Sequence, residues 1–247
     1  MAYGFSQFCE LFTYEEWEGY EYSVDLVFYG DNSFGSPTGV SFPLLPLSPT
    51  DTDCCVKKQR AVGVGYQQEV MARLNGHVLG YSHSNINVTL DNNTVTFPLN
   101  QSLYFDFSHD TNIISVLTAF GLKQFSGHLS PDRHPGPHNF TSSWLAPFGA
   151  RLDIEIIRAP KPLAADRSGY EAAGGETKYV RFVLNQRTLP LGRSFPECDA
   201  ARQDGWCEFE TFLEVQEKMP ARARYDLACH GRYPFASHGV VEDGAPV

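Results

Sequence analysis

Residues 103–122, LYFDFSHDTNIISVLTAFGL, change their hydrophobic period once, and this change constrains the fold more than any other feature. Over residues 103–107 large side chains occupy both alternating faces, which predicts a strand that is buried on both sides. From Thr111 onward the apolar side chains follow one helical stripe, and Gly121 stands where a helix C-cap is expected. The sequence therefore predicts a strand that leads directly into a helix.

His109 and Asp110 lie at the junction between the predicted strand and the predicted helix. The free backbone N–H groups at a helix start favour an anion such as phosphate. A histidine at this point can donate a hydrogen bond to a phosphoryl oxygen, and a protonated carboxyl group can give its proton to a departing alkoxide. The simpler alternative is that Asp110 only caps the helix. The pair is a candidate site for the cleavage of phosphate monoesters.

Further sequence blocks stand in a defined order on both sides of this junction. They are FCELFT at residues 8–13, EW at 16–17, GVGY at 63–66, ARL at 72–74, SW at 143–144, PF at 147–148, RL at 151–152, VRFVLNQRTLPL at 180–191, and the cysteines Cys198 and Cys207. Together with Ser-His-Asp at residues 108–110, these blocks resemble the histidine acid phosphatases. Within that family the resemblance is greatest to the fungal secreted acid phosphatases and phytases.

This resemblance implies an α/β fold with a mixed sheet flanked by helices, that is, a phosphoglycerate mutase-like core with part of a smaller helical domain. It implies that His109 binds the substrate phosphate and that Asp110 is the proton donor. The family reaction passes through a phosphohistidine and uses no cofactor and no metal. The expected partners are small phosphate monoesters, with phytate as one candidate.

The nucleophilic histidine of the family lies in an Arg-His-Gly-x-Arg-x-Pro motif near the amino terminus, and this sequence contains no such motif. Residues 229–234, CHGRYP, imitate it but lack the leading arginine and the spacer before the second one. We therefore expect this chain to be the C-terminal part of one histidine acid phosphatase domain and to be inactive by itself. The alternatives are a secreted glycoprotein that has lost the chemistry and a fragment of a mispredicted gene.

The domain organisation expected from the resemblance has one interruption. Residues 1–39 and 60–76 should form a helical region, and residues 77–247 should form part of the α/β core with a C-terminal disulfide region. Between them lie residues 40–59, VSFPLLPLSPTDTDCCVKKQ, where the family continues almost directly. Codons for the terminal Val and Gln can contain the GT and CAG of intron boundaries, so we favour a retained intron. A genuine Pro- and Ser-rich surface insertion is the alternative.

Several features favour a secretory route. Sequons for N-glycosylation begin at Asn87, Asn92, Asn100 and Asn139. Cys198 and Cys207 can close a short local disulfide. The resemblance implies that Cys9 and Cys229 instead pair with cysteines in the absent amino-terminal part. We expect a secreted protein whose signal peptide precedes that missing part.

Other classes of function are disfavoured by charge and hydropathy. The formal net charge of −10 argues against nucleic acid as a partner. No apolar run approaches the roughly 18 residues of a membrane helix, so no membrane association is expected. His134 and His138 flank a Pro-Gly-Pro turn and are interpreted as solvated loop histidines rather than metal ligands. A homo-oligomer is left open.

The remaining elements follow from local patterns. A capping box at residues 13–16 predicts a helix over about residues 14–29. A glycine pair at residues 63–65 is expected to start a second helix over residues 66–74, since it lacks the rest of a nucleotide-binding loop. Strands are predicted at residues 152–156, 180–184 and 188–191. Residues 160–177 are expected to form a mobile loop.

Overall fold

The computed structural model describes residues 7–34, 57–80 and 84–230. Its helices are α1 (Tyr14–Asn32), α2 (Lys57–Asn75), α3 (Val88–Asp91), α4 (Asp110–Phe120), α5 (Ser142–Leu145), α6 (Phe209–Gln216), α7 (Met219–Ala223) and α8 (Tyr225–His230). Its strands are β1 (Leu152–Ala159), β2 (Thr177–Leu184), β3 (Arg187–Leu189) and β4 (Cys207–Glu208). Short 3-10 helices cover Gln7–Glu10, Lys123–Phe125, Leu191–Arg193 and Pro196–Cys198. The α/β class expected from the sequence is confirmed.

Helix α1 begins with the predicted capping box. The Thr13 side chain accepts a hydrogen bond from the Glu16 backbone N–H, and the Glu16 carboxylate accepts one from the Thr13 N–H at 2.7 Å. These reciprocal bonds lower the pKa of Glu16, the larger effect being the bond from the Thr13 backbone. They satisfy backbone donors that a helix start leaves unpaired, so α1 begins where the sequence predicts.

Helix α2 differs from its prediction, because the glycine pair lies inside the helix and not at its start. A Cβ atom on Gly63 would lie 2.4 Å from the backbone oxygen of Ser115 in α4. A Cβ atom on Gly65 would meet the Asn85 side chain at 2.2 Å. Glycine is therefore required at both positions, because α2 packs closely against α4 and against the loop that follows α2. The helix begins at Lys57, so the last residues of the 40–59 segment are helical and the rest lie outside the described residues.

The sheet is built around β2. Strand β1 pairs antiparallel with the whole of β2, from Leu152 opposite Leu184 to Ala159 opposite Thr177. Strands β3 and β4 pair antiparallel with successive parts of β2. The tight turn predicted between β2 and β3 is confirmed, since Asn185 and Gln186 have φ angles of 48° and 67°. All pairings in the described sheet are antiparallel.

An aromatic cluster joins α4 to the sheet and to α6. The ring of Phe120 at the end of α4 lies 5.1 Å from the ring of Phe182 in β2 and 6.4 Å from that of Phe212 in α6. All three side chains have 0% exposure. Burial of such aromatic side chains is the main favourable term in folding. This cluster fixes the carboxyl end of α4, whereas the candidate site lies at its amino end.

A disulfide closes the loop before β4. Cys198 and Cys207 are joined with an S–S distance of 2.05 Å, and both are buried. The pairing closes a loop with a sequence separation of 9 residues. This short loop carries Arg202 and Asp204, whose side chains form an ion pair at 2.6 Å.

The strand predicted for residues 103–107 is wrong. These residues are extended but pair with none of β1 to β4, and Leu103, Phe105 and Phe107 are 66%, 73% and 94% exposed. A strand requires hydrogen bonds to a neighbouring strand, and no described strand lies beside this segment. The large side chains of this segment therefore alternate as in a buried strand, but the described part of the chain does not bury them.

The loop between β1 and β2 is more ordered than its sequence suggests. The segment over residues 160–177 contains a bridge between Leu163 and Tyr170, and the Leu163 N–H donates to the Tyr179 hydroxyl at 2.8 Å. The Gln203 N–H also donates to the Ala165 carbonyl at 2.9 Å. Contacts with both β2 and the disulfide loop thus hold this segment, which the sequence alone predicts to be mobile.

Candidate active site

His109 and Asp110 are both exposed at the amino end of α4. His109 is the N-cap residue, but its side chain makes no capping hydrogen bond. Its backbone carbonyl accepts from the N–H groups of Asn112 and Ile113 at 3.2 and 3.3 Å. The imidazole of His109 is therefore not engaged in holding the helix start and is available to a ligand.

Asp110 is the first residue of α4 and not its cap. Its Oδ1 accepts a hydrogen bond from the Thr111 N–H at 2.7 Å. The expectation that free helix N–H groups hold the anion is therefore modified, because those of Thr111, Asn112 and Ile113 already have acceptors. Phosphate recognition at this end of α4 would fall to the His109 side chain and the helix dipole.

Hydrogen bonds to Asp106 connect the extended segment before His109 to α2. Asp106 Oδ2 accepts from Arg73 Nη1 at 2.7 Å and from the Tyr66 hydroxyl at 3.1 Å. The Arg73 guanidinium also lies over the rings of Phe97 and Tyr104, at 5.1 and 4.9 Å from their centroids. A charge-assisted bond and two cation–π contacts therefore converge on one arginine.

A pair of carboxyl groups lies beside this arginine. The carboxyl groups of Glu69 in α2 and Asp91 in α3 act on each other and on Arg73 electrostatically. Burial raises the pKa of Glu69 to about 7, and the charge of Asp91 adds to the shift. Burial also raises the pKa of Asp91. With its pKa raised to about 7, the Glu69 carboxyl group is protonated in acid.

None of these residues is predicted from the sequence as a site residue. Tyr66, Glu69 and Arg73 recur at intervals of three and four residues, which places them on one face of α2. Polar side chains at this spacing in a buried helix are the signal that could have identified them. Their partners Asp91 and Asp106 come from segments whose approach to α2 no local pattern predicts.

Comparison with known proteins identifies the family. The sequence model for the histidine phosphatase superfamily (branch 2) matches residues 1–185. The chain belongs to this superfamily. Phytase A of Aspergillus awamori is 35% identical over 189 residues, which are 75% of this chain and 33% of that protein. Phytase A of Aspergillus terreus is 31% identical over 218 residues, which are 87% of this chain and 40% of that protein.

A third relative gives the same result. Phytase A of Arthroderma benhamiae is 34% identical over 193 residues, which are 75% of this chain and 35% of that protein. The chain thus spans 33% to 40% of the length of these relatives. The family resemblance seen in the sequence is confirmed.

The interpretation of His138 in this histidine phosphatase chain needs correction. His138 is not a solvated loop residue, because its Nε2 lies 3.0 Å from the buried Asp25 and its Nδ1 lies 2.9 Å from the Gly136 carbonyl. Asp25 also accepts from the N–H and hydroxyl of Ser142, each at 2.6 Å. Burial opposes a charged imidazole, but the bonds to Gly136 and Asp25 outweigh it and raise the pKa of His138. The pair joins α1 to the segment before α5.

The predicted glycosylation sites are exposed, and so are Cys9 and Cys229. All four sequon asparagines, at 87, 92, 100 and 139, are exposed. Asn87 also caps the short helix α3, where its side chain accepts from the Thr89 N–H at 3.1 Å. Cys9 and Cys229 are exposed thiols. Cys54, Cys55 and residues 231–234 lie outside the described residues.

Among the described residues, no group of three or more His, Cys, Asp or Glu side chains is arranged to hold a metal ion. No helix in the described ranges is both long and apolar enough to cross a membrane.

Proposed function

We propose that this chain is part of a phosphomonoesterase in which His109 binds the phosphoryl oxygens and Asp110 protonates the leaving group. The observation that carries the proposal is the exposed His109–Asp110 pair at the start of α4, in a chain of the histidine phosphatase superfamily. A protonated carboxyl group beside a departing alkoxide typically accelerates its release by about 10²–10⁴-fold.

The nucleophile in this proposal is a histidine outside residues 1–247. It would attack phosphorus, form a phosphohistidine and release the alcohol, which takes up the proton of Asp110. Water would then hydrolyse the phosphohistidine, with Asp110 regenerated as an acid. His109 donates a hydrogen bond to a phosphoryl oxygen in both steps, so it stabilises charge regardless of the leaving group.

The substrates proposed are phosphate monoesters, and the similarity to proteins named Phytase A supports phytate among them. We also propose a secreted glycoprotein, which the exposure of the four sequon asparagines and the Cys198–Cys207 disulfide support. The exposure of Cys9 and Cys229 supports the proposal that they pair with cysteines outside this chain.

The proposal is tested by comparing residues 1–247 alone with the full-length protein. We expect phosphatase activity from the full-length protein and none above background from residues 1–247. His109→Ala in the full-length protein should reduce activity on all phosphate esters. Activity from residues 1–247 alone would show that the nucleophile lies within them, and a full-length protein without activity would favour an inactive secreted glycoprotein.

A further inference from the structure

We propose that a pocket beyond the carboxyl end of α4 binds a small multivalent oxyanion such as phosphate. Its walls carry Lys123, Lys218 and Arg222, and its volume is about 100 Å³. Binding in this pocket does not rest on the function proposed above, although phosphate is the product that such a reaction releases. The His109–Asp110 pair takes no part in it.

The three basic side chains reach the pocket from different parts of the fold. Lys123 belongs to the 3-10 helix that follows α4, Lys218 immediately precedes α7, and Arg222 lies within α7. All three are exposed, and within the described part of the chain none of these side chains forms an ion pair. Their positive charges are therefore left for an anion to neutralise.

The base of the pocket is apolar and held in place. It is formed by the buried side chains of Phe195, Val215 and Met219. Met219 Sδ accepts a hydrogen bond from Arg60 Nη1 at 3.2 Å, which connects this base to α2. The Cys198–Cys207 disulfide closes the loop that follows Phe195. Binding therefore does not have to order the backbone first, which lowers its cost.

The size and the charge of the pocket select the ligand. A volume of about 100 Å³ is several times the roughly 10–15 Å³ that one water molecule needs, so a phosphate ion fits. Glu197 also lines the pocket. Three basic side chains and one acidic side chain give a formal charge of +2. A divalent oxyanion balances this charge and can accept charge-assisted hydrogen bonds from several donors at once.

The pocket is separate from the candidate active site. Helix α4 has 11 residues, so its two ends lie about 16 Å apart. His109 and Asp110 are at the amino end, whereas Lys123 follows the carboxyl end. The nucleophile from the rest of the protein has to reach the amino end of α4. The proposed reaction therefore does not require that part of the protein to fill the pocket.

The experiment measures amide hydrogen exchange of the full-length protein with and without inorganic phosphate at constant ionic strength. The amides of residues 193–197 and 217–222 should become protected. When the phosphate concentration is about ten times the Kd, exchange through openings that release the ion should slow by about tenfold. Acetate, which carries a single charge, should protect the same amides much less.

Variants of the lining side chains identify the groups responsible. Lys218→Gln and Arg222→Gln should each weaken phosphate binding by about fivefold or more. Glu197→Gln should tighten binding by about twofold, because it removes a repelling charge. Lys161→Gln is the matched control, since Lys161 is an exposed lysine of the β1–β2 loop that does not line the pocket. It should bind phosphate as the wild type does.

Exchange that does not respond to phosphate in the wild type would overturn the site, and so would equal weakening by Lys161→Gln and Arg222→Gln. Failure of the proposed function gives a different result. If phosphate protects the pocket of a full-length protein that has no phosphatase activity, the function is wrong and the site stands. If the activity is present without this protection, the site is wrong and the function stands.

Discussion

Gly63→Ala should destabilise the protein even though alanine is the better helix former. In a helix interior, replacing glycine by alanine stabilises by about 1 kcal/mol. At this position the new Cβ atom would lie 2.4 Å from the Ser115 oxygen and 2.7 Å from its carbonyl carbon, both of which are backbone atoms of α4. Ordinary contact begins at 3.4 Å, so α2 and α4 would have to separate by 1.0 Å or distort.

The expected loss of stability is the cost of the clash minus the gain in helix propensity. Overpacking a buried contact costs about 1–3 kcal/mol, and a clash with backbone lies at the upper end because no rotamer relieves it. After the gain in helix propensity is subtracted, we expect the free energy of unfolding to fall by about 1–2 kcal/mol. The loss should be larger for Gly63→Val, which adds volume without further helix propensity.

Gly19→Ala provides the matched control. Gly19 also lies inside a helix, α1, but nothing is within 4 Å of the position of its Cβ atom. This substitution should raise the free energy of unfolding by about 0.5–1 kcal/mol. Guanidinium unfolding of the full-length protein, followed by circular dichroism, measures both variants. If Gly63→Ala proves as stable as Gly19→Ala, the close approach of α2 to α4 is not as described.

The remaining predictions concern the disulfide, the buried histidine and the inserted segment. Replacing Cys198 and Cys207 together by serine should lower the free energy of unfolding by about 2.5 kcal/mol, the loop-closure term for a loop of this size, as measured by guanidinium unfolding. His138 has a raised pKa in the folded protein. Its contribution to stability is therefore complete below its ordinary pKa near 6.5 and is lost as the pH rises through the higher folded pKa. Unfolding measured from pH 5 to about 9 should show this decline, and His138→Gln should flatten it, whereas an unchanged slope would contradict the charged pair with Asp25. Deleting residues 40–59 should raise secreted yield and activity if they are translated intron, and equal yield from both forms would favour a genuine insertion.

Local patterns predicted the elements that depend on local contacts. The capping box at Thr13, the left-handed C-cap at Gly121 with φ of 85° and the turn at Asn185 each concern neighbouring residues, and each is present. Strands β1 and β2 also follow from their alternating apolar residues. These features need no knowledge of what packs against them.

The predictions that were wrong concern contacts between residues far apart in the sequence. Residues 103–107 have the alternation of a buried strand, but a strand forms only beside a partner, and none of the described strands pairs with them. The Asp25–His138 pair joins residues separated by 113 positions, so spacing around His138 gives no sign of it. Gly63 shows the same limit, because its role is visible only when Ser115 is opposite it.

Asp110 is proposed as the acid that protonates the leaving group, and the leaving-group dependence of Asp110→Asn tests this role most directly. In the full-length protein, this variant should lose about 10²–10⁴-fold in kcat/KM on glycerol phosphate, whose alkoxide needs a proton to depart. It should lose far less on p-nitrophenyl phosphate, since that leaving group departs without protonation. His109→Ala, which removes a phosphate contact made with either ester, should reduce both by similar factors. Equal losses on the two esters for Asp110→Asn would contradict the account.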